Sequence, residues 1–156
     1  MIAGAPKDLT WGVGPVPSTW RQLVDKQGER QWAVGEKCLL TLQQPAGLGP
    51  KEPTQDQVLN DGVAYLERSS KVDLTQGGVA RRQFPVRSNL KGVSVTTAVS
   101  VTDFTGPRGV RGQVYAHRAG EFALILLTVC GGDTFAAVDE SDLSPFIGQL
   151  VVQTTY

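Results

Sequence analysis

Two cysteines, one histidine, a short run of carboxylates and a set of arginines hold most of the chemistry open to this chain. Cys38 lies in KCLLTLQ and shares strand parity with Leu40 and Leu42, while Cys130 closes EFALILLTVC and shares parity with Leu124 and Leu126. Each sulfur is expected to face packed interior. It is there either as a small buried hydrophobe or, if the two strands are neighbours, as half of a disulfide. A cysteine pair without a third fits an oxidising compartment, and a bridge closing a loop of about 90 residues adds on the order of 4 kcal/mol by restricting the unfolded chain. The two are too far apart for a C-x-x-C clasp, and only His117 offers an imidazole, so no metal site is expected.

His117 is the sole candidate for a neutral-pH general base, which a hydrolase would need beside a serine or carboxylate. No G-x-S-x-G elbow accompanies it, and its place near a strand end beside Arg118 predicts a solvated side chain. Asp139, Glu140 and Asp142 cluster as carboxylates do in metal or glycosidase sites. They also precede a predicted helix, where negative charge favours the macrodipole, and that capping role is expected. Arg81, Arg82 and Arg87 join Arg108, Arg111 and Arg118 in one basic patch if strands 79–86 and 109–118 run side by side; otherwise they are solvated strand faces. Such a patch would receive an acidic partner or a phosphate-bearing head group. Trp20 and Trp32 are expected in the core, and Trp11, in a Gly/Pro-rich stretch, as an exposed anchor for a partner or glycan. GLGP and TGPRG lack the P-loop spacing and its lysine, so no nucleotide or other cofactor is expected.

The chain of 156 residues, 40% hydrophobic, is long enough for one domain with a core of its own. Fifteen basic residues balance fifteen acidic ones, so no global field draws the protein to nucleic acid or an anionic membrane. No apolar run has the length of a spanning helix, and the opening MIAGAPKDLTWGVGP reads as a flexible tether, residues 1–15, ahead of a single domain at 16–156.

Within that domain, short strands are expected at 20–24, 30–34 and 37–43, separated by Gly28 and Gly35. Thr54 and Gln57 have capping-box spacing, and Val58, Leu59, Val63 and Leu66 recur at helical intervals, which predicts a helix over 55–69. A strand at 79–86 carries Pro85, which belongs at an edge or an end. In 93–103 the alternation is strict, with Val93, Val95, Thr97, Val99 and Val101 on one face and small, mostly hydroxylated residues on the other. That second face leaves room for a ligand pocket under a helix. Strands at 109–118 and 121–130 follow, the latter apolar on both faces and therefore central. Leu143, Phe146, Ile147, Leu150 and Val151 form a helical stripe, predicting a closing helix over 139–152 capped by Ser141 or Ser144. The expectation is an α+β domain with an antiparallel sheet of about six strands flanked by two helices.

This order of elements resembles the PsbP/Mog1 type of domain, including actinobacterial lipoproteins of the LpqN kind. The matching pieces are PSTW at 17–20, the QWAV and CLLTL strands, the helix from Gln55, the strands at 93–103, 109–117 and 121–130, and the helix from Ser144. The resemblance implies an αβα sandwich in a non-enzymatic role: an extracytoplasmic binding or accessory domain of a bacterial cell envelope, meeting a protein or envelope component. It brings no active-site residues. A lipidated member carries a cysteine at its mature N-terminus, which this sequence does not show, so any membrane tether lies outside it. The rival readings are a cytosolic adaptor or chaperone with both thiols reduced, and the hydrolase using His117.

Overall fold

The computed structural model describes residues 5–49, 51–90 and 96–156. Nine strands form one continuous sheet: β1 (Asp8–Gly12), β2 (Arg21–Lys26), β3 (Glu29–Val34), β4 (Cys38–Gln43), β5 (Thr75–Ser88), β6 (Thr96–Thr105), β7 (Arg111–Ala119), β8 (Phe122–Cys130) and β9 (Val151–Thr155). Their spatial order is β1-β9-β5-β6-β7-β8-β4-β3-β2. Every pairing is antiparallel except β5 with β9, where Val86, Arg87 and Ser88 lie parallel to Val152, Gln153 and Thr154. The helix α1 (Gln55–Ser70) covers one face. A broken helical stretch fills the other: α2 (Phe135–Val138), a π-helical turn (Asp139–Leu143) and α3 (Ser144–Ile147).

The expected αβα sandwich on a six-stranded antiparallel sheet is therefore replaced by a mixed, nine-stranded sheet curled into a half-barrel. Two strands account for most of the difference. β1 lies inside the segment expected to be a tether, because Leu9 and Trp11 alternate inward and are both 2% exposed. β9 takes Val151 and Val152 from the expected C-terminal helix. Gly148 ends the helical stretch, and VVQTT alternates Val152 and Thr154 inward as a strand does.

Curling brings the β1 end of the sheet back toward its middle. The indole Nε1 of Trp11 donates to the Ile125 carbonyl in β8 at 3.1 Å, and the Trp11 backbone N–H donates to Gln44 Oε1 at 3.0 Å. The concave face gathers a core in which Trp20, Trp32 and Phe146 meet with ring centroids 4.8 to 6.4 Å apart, next to Trp11, Phe84, Tyr115, Leu143 and Ile147. Trp20 and Trp32 thus pack as expected.

The convex face forms a second core under α1. Thr54 and Gln57 close the capping box in both directions, and Val58, Leu59, Val63 and Leu66 pack on Phe104, Val114, Ala116, Ala123 and Leu127. Gly62 permits this approach, since a Cβ there would meet Val114 Cγ1 at 2.8 Å. The hydroxylated face of β6 lies beneath the same helix with Ser100 and Thr102 buried, so the pocket anticipated there is filled. Val93 and Val95, part of that alternation, lie outside the described residues. β8 is central and covered on both sides, as its sequence predicts.

Gly112, at the β7–β8 pairing, leaves no room for a side chain. A Cβ there would collide with the Thr128 carbonyl oxygen and lie 2.6 Å from Phe104 Cζ. Gly112→Ala should cost about 3 kcal/mol in urea unfolding, by overpacking against backbone that cannot yield. A midpoint equal to wild type would contradict this packing.

Candidate functional site

Cys38 and Cys130 face each other as directly paired residues of β4 and β8 and form a disulfide. Of the two roles open from the sequence, the bridge is the one present. It is compatible with an oxidising, extracytoplasmic setting. Thr134, ahead of α2, places its hydroxyl 3.8 Å from Cys38 Sγ, so the bridge sits under the helical stretch rather than at the surface.

His117 is not a solvated strand-end residue. It is 8% exposed on the concave face, with Nδ1 3.3 Å from the Ala98 carbonyl. β7 places His117 opposite Leu124 and on the same side as Tyr115, which puts its ring in the core. Burial holds its pKa below the usual histidine value, and the bond to Ala98 opposes that shift only in part. The ring is thus kept neutral, with Nδ1 as donor to Ala98.

The carboxylates also take other roles than capping. Asp139, Glu140 and Asp142 lie within the helical stretch, in its π-helical turn, and neither Ser141 nor Ser144 caps a helix. Asp142 Oδ2 accepts from the Trp20 indole at 3.2 Å, tying the helical stretch to the aromatic cluster, and Asp139 Oδ1 accepts from the Ser144 hydroxyl at 3.3 Å. Among the described residues no group of three or more His, Cys, Asp or Glu is placed to hold a metal ion.

The arginines do not form one patch. β5 and β7 are separated by β6, and neighbouring residues of a strand point to opposite faces. On the convex side Arg81 pairs with Asp56 at 3.1 Å, and Arg118 donates to the Gly120 carbonyl at 3.2 Å. Arg81 and the Ser100 hydroxyl both stabilise the Asp56 carboxylate, with Ser100 the larger influence, and hold its pKa below the usual aspartate value.

On the concave side Arg82 lies over Phe84, 5.2 Å from the ring centroid, and donates to the Tyr115 hydroxyl at 3.2 Å. Tyr115 donates in turn to Gln113 Oε1, and Gln113 Nε2 donates to Asp103 Oδ1. Burial raises the Tyr115 pKa, so this relay carries a neutral phenol. Arg111 stacks on Phe135 at 5.1 Å, and Arg108 occupies an exposed turn with a left-handed backbone, φ 57°.

Arg87 belongs to a different site. With Arg30, Trp11, Gly12, Gly14, Gln149 and Gln153 it lines a cleft of about 310 Å³ where the curled sheet's ends approach each other. Trp11, expected as an exposed anchor, is the buried wall of this cleft. Sequence reasoning gave no role to Arg30, Gln149 or Gln153. Their only local signal is the alternate glycines of WGVG, which let both carboxamides lie against backbone: a Cβ on Gly12 would meet Gln153 Cδ at 3.0 Å, and one on Gly14 would meet Gln149 Oε1 at 2.7 Å.

No protein-family model matches the chain, and no curated protein matches it. Among solved structures, a protein from Bacteroides thetaiotaomicron VPI-5482 aligns with 90% of this chain at 13% identity and a TM-score of 0.33. The chain spans 47% of that protein's length, and so low a likeness carries no argument about function.

His117 makes a pH dependence predictable. Its folded pKa is below the unfolded one, so the unfolded chain binds the extra proton first. The stabilisation is complete above the unfolded value of about 6.5 and is lost as pH falls through the lower folded value. Urea unfolding at pH 7.5 and pH 5 should show wild type losing more stability on acidification than His117→Gln. Equal losses would show that the ring is not buried neutral. Asp56, also depressed, acts in a separate window, below the ordinary aspartate value of about 3.8.

Proposed function

We propose that this chain is a non-enzymatic binding or accessory domain of a bacterial cell envelope, working in an oxidising compartment and meeting its partner along the open edge of β5. The observation that carries the reading is that edge. β5 is hydrogen-bonded to β6 from Thr75 to Pro85, while its other side meets β9 only from Val86 onward. Among the described residues, Val79 to Gln83 therefore present a side that no other strand of the sheet pairs, with Val79 41% exposed. An extended segment of a partner can add to such an edge as a further strand.

The open stretch at 79–83, VARRQ, holds two arginines and no acidic residue, which favours an acidic segment as the added strand, one that would share Arg81 with Asp56. Pro85 and the bulge between Gln76 and Val79 bound the open length, an arrangement that limits self-pairing of copies. The Cys38–Cys130 bridge supports the compartment. The groups a hydrolase would use are engaged in the fold. His117 holds Ala98, Asp142 holds Trp20 and Asp56 holds Ser100 and Arg81.

A photo-crosslinking residue at Ala80, in protein exported to the envelope, should capture a discrete partner that a crosslinker at the exposed Tyr65 of α1 does not. Val79→Glu should abolish the capture while leaving the melting temperature within about 2 °C of wild type, as expected of an exposed substitution. Equal capture from both positions, or capture unaffected by Val79→Glu, would contradict the reading.

A further inference from the structure

We propose that the cleft between Trp11–Gly14, Arg30, Arg87 and Gln153 is a binding site for a small oxyanion, a carboxylate or phosphate group, separate from the β5 edge. Its walls come from parts of the chain far apart in sequence. Arg30 is in β3, near one edge of the sheet, and Arg87 is in β5, beside the β9–β1 end. The curl of the sheet brings both arginines to the lining of one cleft.

No acidic residue lines it. All fifteen Asp and Glu of the chain lie among the described residues, and the ion pairs there are Lys26–Glu29 and Arg81–Asp56. Neither Arg30 nor Arg87 forms an ion pair among the described residues, although Asp25 stands opposite Arg30 on the β2–β3 ladder. Two like charges sharing one concavity repel each other, and the counter-charge they lack is what an incoming anion supplies.

The neutral lining has the same bias. The Thr10 hydroxyl donates to Gln153 Oε1 at 3.2 Å, which occupies the acceptor end of that carboxamide and leaves Nε2 as the free donor. Packing of Gln153 against Gly12 fixes where that donor stands. Trp11 is held from both sides, by Ile125 through its indole and by Gln44 through its backbone, so the cleft floor is set before any ligand arrives. Guanidinium forks recognise the paired oxygens of carboxylate and phosphate, whereas chloride satisfies only the charge. A volume of about 310 Å³ suits one such group with a short attached body and is small for a nucleotide.

The test is an amide-resolved NMR titration of the intact, oxidised protein with inorganic phosphate and, separately, with succinate, each against sodium chloride at matched ionic strength. Saturable shifts confined to Gly12, Gly14, Arg87, Gln149 and Gln153 are expected, with at least one of the two oxyanions. Response to phosphate alone or to succinate alone identifies which oxyanion the site takes. Arg30→Gln and Arg87→Gln should each weaken binding by about tenfold or more, the effect of losing a charge-assisted pair of hydrogen bonds. Arg87→Lys, which keeps the charge without the fork, should fall between, and covers the case in which a glutamine variant fails to fold. Arg81→Gln, on the other face, should bind as wild type. Shifts that never saturate, that appear equally with chloride, or that survive both arginine substitutions would overturn the proposal. Because Val79→Glu lies outside the cleft, its effect on partner capture and the oxyanion titration can fail independently.

Discussion

The sheet depends on one joint. β2, β3 and β4 form a local meander, and β5 to β8 form the longer antiparallel block. Within the sheet, among the described residues, the two pair through the β4–β8 ladder, from Cys38 opposite Cys130 to Gln43 opposite Ile125. The contact is made across most of the chain, so its closure entropy is large and little local structure prepares it. The disulfide at one end of that ladder removes much of this cost by keeping the two strands together in the unfolded chain. At the other end the ladder runs into Gln44, whose side chain receives the Trp11 backbone N–H and so ties β1 to the same joint.

With the joint closed, the remaining features follow from strand parity and curvature. Each strand of the centre sends alternate residues to two separate cores, one under α1 and one around the α2–α3 stretch. The polar residues of those strands are consequently sorted by face. Arg81 and Arg118 go to the helix side, Arg82 and Arg111 to the concave side, and Arg87 to the seam. His117 falls on the concave side with Tyr115 and is buried by the same rule that buries Leu124 opposite it.

Much of this was legible in the sequence, where local rules suffice. The capping box at Thr54 and Gln57, the apolar stripe of α1 and the doubly apolar β8 are read directly from residue types and periods. The inward parity of both cysteines is equally local. What was not legible depends on distant pairing. Leu9 and Trp11 alternate correctly, but the glycines and prolines around them outweigh so short a signal until β9 supplies the ladder. Val151 continues a helical stripe and also begins a strand, and the choice is made by Gly148 and by the parallel pairing with β5. The single arginine patch failed on parity, since Arg81 and Arg82 are consecutive in an extended strand and cannot share a face. The seam cleft has no sequence signature, because nothing local says that β3 and β5 will approach across a curled sheet.

β4 and β8 are neighbours bridged through Cys38 and Cys130, and thiol titration of the denatured protein recovered from an oxidising compartment reads that bridge. No alkylatable thiol is expected until a reductant is added, then two per chain, with a single cross-linked peptide pair containing both cysteines in the unreduced digest. Two thiols reacting without reductant would contradict the bridge and remove the main support for an extracytoplasmic protein.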